Sequence, residues 1–235
     1  MFFNKKRTTR AIVTLGSGVQ SELLDITRAT RKEYASRHGY EVVEETRVLA
    51  PGRPPAWGKI SLLRSLMETG KYDMIVWLDA DTVIVEPQDD IGTQLDRGRP
   101  IQFVSHHYDG HDFPNAGVLV LHRSPIVTEM LAELWDATSF IDHRWWDNAA
   151  MLFLLGYTTE GVISKFESTI YDEYTGQLSL KWNSINQTMA DAPAIAHLAG
   201  WDNQLRVAVM KELVERPKRV VELLQFPQVI LKEKP

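Results

Sequence analysis

Cysteine is absent from all 235 residues, which removes disulfides and thiolate metal ligands together. Any metal held here must be bound through oxygen or imidazole. Also lacking is an unbroken apolar run of about 18 residues, the length a membrane-crossing helix needs. Neither a secretory signal nor a membrane anchor is expected, and the expected location is cytoplasmic. A surplus of positive charge is missing too: 26 basic residues against 31 acidic ones leave a net charge of −5. That balance argues against a broad nucleic-acid surface. No internal repeat or low-complexity tract interrupts the chain. The apolar content of 44% is ordinary for a soluble globular protein. A chain of this length buries roughly 70% of its unfolded surface as a single domain. The expected division is one domain over 1–203, with 204–235 as a C-terminal helical extension of it.

Strand and helix signals alternate along the first third. Ala11–Leu15 is a short apolar run stopped by Gly16-Ser17-Gly18. A helix follows from an N-cap at Ser21 to a stop at Gly39, with Leu23, Leu24, Ile26 and Tyr34 facing inward. Glu41–Glu45 reads as the next strand, and Ala50-Pro51-Gly52-Arg53-Pro54-Pro55 as a loop. Trp57 to Met67 reads as a second helix, leading to a strand over Met74–Leu78. This order predicts an α/β fold with a mostly parallel sheet and helices on both faces. Further on, Ile101–Val104 and Gly117–Leu121 read as strands around a polar, histidine-rich loop, Ser105–Pro114. That loop is expected to meet an acceptor or to be mobile. Ser124-Pro125 opens a helix reaching about Thr138, with serine as cap and proline in the first turn. Trp146–Leu155 is another helix, and Ile163–Phe166 and Ala194–Leu198 are short strands. From Gln204 the chain reads as helical, with a break at Pro217.

The most telling segment is Met74-Ile75-Val76-Trp77-Leu78-Asp79-Ala80-Asp81-Thr82-Val83-Ile84-Val85. An apolar strand stops at two carboxylates one residue apart. Ending a buried strand in paired negative charge is costly unless a cation meets them. Alternate residues of an extended chain share a face, so Asp79 and Asp81 are expected to point the same way. Two such oxygens suit Mg²⁺ or Mn²⁺, which leave positions free for substrate phosphates. The competing reading is a solvated turn. A phosphatase with an aspartate nucleophile also ends a strand in D-x-D, but there a further residue and then threonine follow, usually beside glycine. Here Thr82 follows Asp81 directly. Gly16-Ser17-Gly18 lacks the third glycine of a dinucleotide fingerprint, since Gln20 and Ser21 stand where it is needed. Gly16-Ser17-Gly18 instead reads as a tight turn, which at a sheet edge can still cradle a base or ribose, with Thr14 to Gly18 offering mostly backbone contacts.

Four other elements accompany the carboxylates. Asn115-Ala116-Gly117 enters a strand, and Asp147-Asn148 opens an apolar helix. His197 ends a short strand and is followed by Gly200, and Lys59 stands at the start of a helix in Trp57-Gly58-Lys59. Each has a purely structural alternative: a turn, a helix-dipole acid, a hydrogen-bonded core histidine, a solvated lysine. Trp135, Trp145 and Trp146 read as core or groove wall. Arg206, Lys211, Arg216, Lys218 and Arg219 read as a solvated helix face, with peripheral contact to an anionic membrane as the alternative.

Taken together, these residues resemble the metal-dependent GT-A glycosyltransferases over roughly Ile12 to Asn203. The nearest likeness is to the retaining galactosyl-, mannosyl- and xylosyltransferases of family 34, with a weaker one to the glycogenin-like family 8. The resemblance implies a GT-A catalytic domain with a mixed, mostly parallel central sheet flanked by helices. It implies Mn²⁺ (or Mg²⁺) on Asp79, Asp81 and His197, with the diphosphate of a nucleotide sugar beside them. It further places Thr14, Leu15, Gly16, Lys59, Ala80, Asn115, Gly117 and Gly200 on the donor side, and Asp147, Asn148 and Lys59 at the transferred sugar. Asn148 departs from the pattern, because a glutamine is more usual there. The implied function is retaining transfer from a nucleotide-diphosphate sugar, expected to be UDP-linked, to a hydroxyl of a glycan or other acceptor. The alternatives are a Mg²⁺-dependent phosphatase or nucleotidyltransferase, or an inactive sugar-nucleotide-binding module.

Overall fold

The computed structural model describes residues 9–228 except 97, 109 and 187. Its strands and helices run β1 (Arg10–Leu15), α1 (Ser21–His38), β2 (Glu41–Glu45), α2 (Trp57–Glu68), β3 (Met74–Leu78) and β4 (Thr82–Ile84). They continue with β5 (Ile101–Tyr108), β6 (His111–His122), α3 (Pro125–Asp136), α4 (Trp146–Leu154), β7 (Thr175–Gln177), β8 (Ile195–His197), α5 (Asn203–Glu215) and α6 (Val220–Gln225).

Six strands form the main sheet in the order β2-β1-β3-β6-β5-β7, and β4 pairs with β8 in a separate two-stranded sheet. The β1–β2, β1–β3 and β5–β7 pairs are parallel, while β6 runs antiparallel to both β3 and β5. One reversed strand in an otherwise parallel sheet is the mixed α/β architecture expected. Strand β3 shows why it sits at the centre: all five of its residues are buried. Ile75 and Trp77 face one core cluster, with α2, α3 and α4; Met74, Val76 and Leu78 face the other, with Tyr34 and Ala35 of α1. A third cluster joins α1, β4, β8, α5 and α6 through Leu23, Val83, Ala196, Val209 and Leu223.

Several sequence expectations change. Residues 105–108 and 111–114 are no loop: they belong to β5 and β6, pairing His106 with Phe113 and His107 with Asp112, while Asp109 of the expected loop Ser105–Pro114 lies outside the described residues. Ile163–Phe166 forms no strand, only an isolated bridge between Lys165 and Tyr157. Ser21 begins α1 rather than capping it, its hydroxyl donating to the Gly18 carbonyl. Asp79 and Asp81 are not in extended chain. The segment turns, with the Thr82 N–H and hydroxyl both donating to the Asp79 carbonyl. Among the described residues no helix is long and apolar enough to cross a membrane.

The β5–β6 register jumps between Phe103, opposite Leu119, and Val104, opposite Asn115. Residues Ala116, Gly117 and Val118 therefore bulge out of the β5 pairing, and a bulge re-aims side chains locally. This one lies beside the end of β3, where the Asp79 N–H donates to the Gly117 carbonyl at 2.8 Å.

Candidate metal centre and donor site

Two chain segments bring the candidate ligands to one point. The turn after β3 carries Asp79 and Asp81. Strand β4 follows immediately, and its Thr82 is the register partner of His197 in β8. That pairing, with Leu198 N–H donating to the Asp81 carbonyl, brings a residue from far down the chain beside the acids. His197 Nε2 lies 3.3 Å from Asp81 Oδ1 and 3.9 Å from Asp79 Oδ2. One donor atom from each of the three residues falls within 4.8 Å of the others. Two carboxylate oxygens and an imidazole nitrogen suit a divalent cation of the Mg²⁺, Mn²⁺ or Zn²⁺ type.

The other carboxylate oxygen of Asp79 is taken, accepting from Trp77 Nε1 at 2.7 Å and lying 3.0 Å from Lys59 Nζ. Oδ1 is thereby anchored and Oδ2 turns toward His197. Lys59 is buried, and its ammonium also pairs with Asp147 Oδ2 at 2.7 Å and donates to the Ala116 carbonyl at 3.0 Å. With Asp79, Asp147 and Ala116 all satisfied by it, Lys59 bridges the turn to α4 rather than reaching out as a free cation. Burial pulls its pKa down, but the Asp147 and Asp79 charges prevail and hold it well above the ordinary lysine value. Burial, reinforced by the Asp79 charge, pushes the Asp147 carboxyl up despite Lys59. Asp147 itself is presented by a strained turn. Trp146 has a φ of +43°, the one positive value at a described non-glycine residue. Such a conformation costs about 1–2 kcal/mol.

Asn148 Oδ1 accepts from the Ala116 N–H at 2.8 Å, so the amide fastens α4 to the bulge. Asn115 Oδ1 accepts from Gly117 N–H and from Asn183 Nδ2, each at 2.8 Å. Asn183 Oδ1 in turn lies 2.9 Å from His197 Nδ1. Gly117 packs directly on the His197 ring: a Cβ there would lie 2.5 Å from Nδ1. Its required property is thus the lack of a side chain.

The remaining expected residues take no part in the side-chain contacts just described. Thr14 is buried at the end of β1 with its hydroxyl unpartnered, Leu15 is buried beside it, and the Gly16 N–H donates to Glu45 O at 3.0 Å. Ala80 packs into the third core cluster, leaving only its backbone to offer. Gly200 turns the chain after β8 at a φ of +74°. A cavity of about 480 Å³ lined by Arg10, Tyr40, Lys71 and Tyr72 shares no residue with the cluster.

Two contributors were not foreseen. Asn183 gives no sequence signal, because an isolated amide acquires meaning only from what the fold sets against it. Arg206, expected on a solvated face, instead lies 3.6 Å from Asp81 Oδ2 and donates to the Trp201 carbonyl. Three other charges of that face are paired: Lys211 with Glu22 of α1, and Arg216 and Arg219 with Glu212. The centre thus sets three carboxylates, Asp79, Asp81 and Asp147, against two permanent cations, Lys59 and Arg206. Burial opposes a charged His197, yet the Asp81 and Asp79 carboxylates raise its pKa above the ordinary value. The potential at the imidazole is negative, as a cation site requires.

The fold is that of the GT-A glycosyltransferases. A glycosyltransferase involved in glycosylating the major capsid of PBCV-1 superposes with a TM-score of 0.61 at 15% identity, covering 86% of this chain and 98% of that one. The glycosyltransferase GlyE of Streptococcus pneumoniae TIGR4 gives 0.57 at 16% identity, over 97% of this chain and 63% of GlyE. Galactosyltransferase LgtC, solved with donor and acceptor sugar analogues, gives 0.50 at 13% identity over 92% and 96% of the two chains. Residues 10–96 match the galactosyl transferase GMA12/MNN10 family, the family 34 likeness seen in the motifs. That match takes in Lys59, Asp79 and Asp81 and stops before Asn115, Asp147 and His197. No curated protein matches the sequence. Fold and family match together support a glycosyltransferase enzyme.

Proposed function

We propose that this protein is a divalent-metal-dependent, retaining glycosyltransferase that moves a sugar from a UDP-linked donor to a hydroxyl of a glycan or other acceptor. The observation that carries the reading is the convergence of Asp79, Asp81 and His197 within 4.8 Å at the C-terminal end of a central strand. Open α/β sheets bind their ligands at that edge. Mn²⁺ or Mg²⁺ bound there would supply Lewis-acid stabilisation of the departing diphosphate. Thr14 to Gly16 would meet the nucleoside through backbone groups, with Ala80 and Gly200 lining the diphosphate side.

The residues around the cluster have separable tasks. Lys59 pairs with both Asp79 and Asp147 and so holds them in place, which positions them without touching the leaving group. Asn148 commits Oδ1 to the bulge and leaves its Nδ2 to donate to the transferred sugar. Asp147 supplies negative potential toward a sugar ring that gains positive charge. In a front-side displacement the bond from the anomeric carbon to the diphosphate oxygen breaks, and the acceptor oxygen bonds on the same face. The acceptor's proton passes to the departing phosphate oxygen, so no separate base is needed. A phosphatase reading is disfavoured by geometry: Asp79, the first acid, is held by Trp77 and Lys59 rather than free to attack.

A thermal-shift comparison of UDP- and GDP-sugars, with and without Mn²⁺, tests the donor. A bound donor at a hundredfold excess over its Kd stabilises by about 2.7 kcal/mol, and the shift should require both UDP-sugar and metal. Asp81→Asn should abolish metal-dependent transfer. Wild-type transfer by that variant refutes the reading, as does phosphate release from simple phosphomonoesters.

A further inference from the structure

We infer that Asn183 and Asn115 form an amide relay that sets the tautomer of His197, carrying a donor/acceptor polarity from the Gly117 backbone N–H to the imidazole. The inference rests on the metal-centre reading above and extends it to residues outside the coordinating set. An amide oxygen and nitrogen are easily interchanged in a structure, but here one end of the chain is unambiguous. The Gly117 main-chain nitrogen can only donate, so the Asn115 atom 2.8 Å away must be its oxygen. That oxygen also faces Asn183 at 2.8 Å, so Asn183 must present its NH₂ there. The remaining Asn183 atom, 2.9 Å from His197 Nδ1, is then its oxygen, an acceptor. In the neutral ring Nδ1 therefore carries the proton, and Nε2 keeps its lone pair toward the point where Asp79 and Asp81 converge.

The arrangement is built rather than incidental. Asn183 and the His197 ring are buried, so no water competes for these bonds. The residues sit on separate elements, β6, the turn after residues 180–182, and β8, and the His197 N–H donates to the Ser184 carbonyl at 2.8 Å beside them. Asn183 touches no proposed ligand except His197 and is thus a positioning residue. A ligating histidine with the wrong nitrogen protonated must first exchange its proton, and losing the partner of the outer nitrogen typically weakens metal binding about 10–100-fold.

The test uses the full chain with histidine ring nitrogens labelled, His197 being assigned by its own substitution. Spectra of the metal-free protein, taken at a pH high enough for a neutral ring, should show pyrrole-type Nδ1 and pyridine-type Nε2. Asn183→Leu should mix or invert that signature and weaken Mn²⁺ binding, followed by titration calorimetry, by about 10–100-fold. Asn183→Asp keeps an acceptor at Nδ1 but sets a carboxylate oxygen against Asn115 Oδ1, so it should lose stability in a urea melt while retaining the wild-type tautomer, an outcome that simple packing loss would not give. If Asn183→Leu does not fold, Asn115→Leu breaks the relay one step earlier and should mix the tautomers. A wild-type signature and affinity in Asn183→Leu overturns the inference. If the wild-type protein binds no divalent cation, the metal reading falls, while the ring-nitrogen spectra still judge the relay.

Discussion

Gly117→Ala is the sharpest probe of the centre, because one methyl group tests whether the bulge and the imidazole are matched in shape. The added Cβ would lie 2.5 Å from His197 Nδ1 and 2.9 Å from Asn115 Oδ1, inside contact distance for both. Neither side yields cheaply. Gly117 is held by its N–H on Asn115 and its carbonyl on Asp79 N–H, and His197 by the β4–β8 pairing, Ser184 and Asn183. Forcing a methyl group into such packing costs about 1–3 kcal/mol. If the imidazole gives way, that energy appears as lost Mn²⁺ affinity, roughly 5- to 150-fold at 1.4 kcal/mol per factor of ten. If the fold absorbs it, denaturant unfolding loses the same amount. Calorimetric Mn²⁺ titration and urea melts should therefore show losses that sum to this range. Should Gly117→Ala bind Mn²⁺ and unfold like the wild type, with only the donor KM altered, the glycine serves sugar contact and the packing argument fails.

Lys59→Met leaves Asp79 and Asp147 without their shared cation and should cost about 3–5 kcal/mol in a denaturant titration. A loss below 1 kcal/mol would show that the ammonium is not holding the two acids. His106 is buried and uncharged in the folded protein, its pKa pushed down to about 4 by burial and the nearby His197. The folded ring binds a proton less well than the unfolded chain does. Its contribution is thus intact above pH about 6.5 and declines as pH falls from there to about 4, by roughly 3 kcal/mol in full. His106→Phe should flatten that part of the stability-pH curve, and an unchanged slope would refute the assignment. Asp90 accepts hydrogen bonds from Tyr40 at 2.6 Å and from Arg10 at 2.7 Å, which outweigh burial and lower its pKa. Its stabilisation should be present at neutral pH and lost as the medium is acidified below the ordinary aspartate range. Asp90→Asn should remove that acid-side loss in a urea melt.

How far the chain could be read in advance depended on what each feature asks of its neighbours. Strands β2 and β3 were placed to the residue, because each is a compact run bounded by a turn or a charge pair. The hairpin over His106 to Phe113 escaped because its outer part is solvated: His107 and Asp112 pair across it while both remain exposed. His106, which is buried there, is itself polar, so no apolar alternation marks the segment. Asp79, Asp81 and His197 were identifiable as a set, though by motif and not by the extended geometry expected of them; a turn aligns the acids instead. Lys59 was named in advance beside the acids, but its burial between two carboxylates is a tertiary fact. Arg206 carries no local mark that separates it from the solvated basic residues nearby. Asn183 was invisible for the same reason.

The proposed coordination would depend on a seam that closes late in synthesis. Asp79 and Asp81 leave the ribosome more than a hundred residues before His197, and only β8 docking on β4 brings the imidazole alongside. A nascent or truncated chain ending ahead of β8 owns two of the three donors and would hold the cation weakly. Cation capture would then act as a latch that closes only on a completed catalytic half, withholding donor chemistry from unfinished protein.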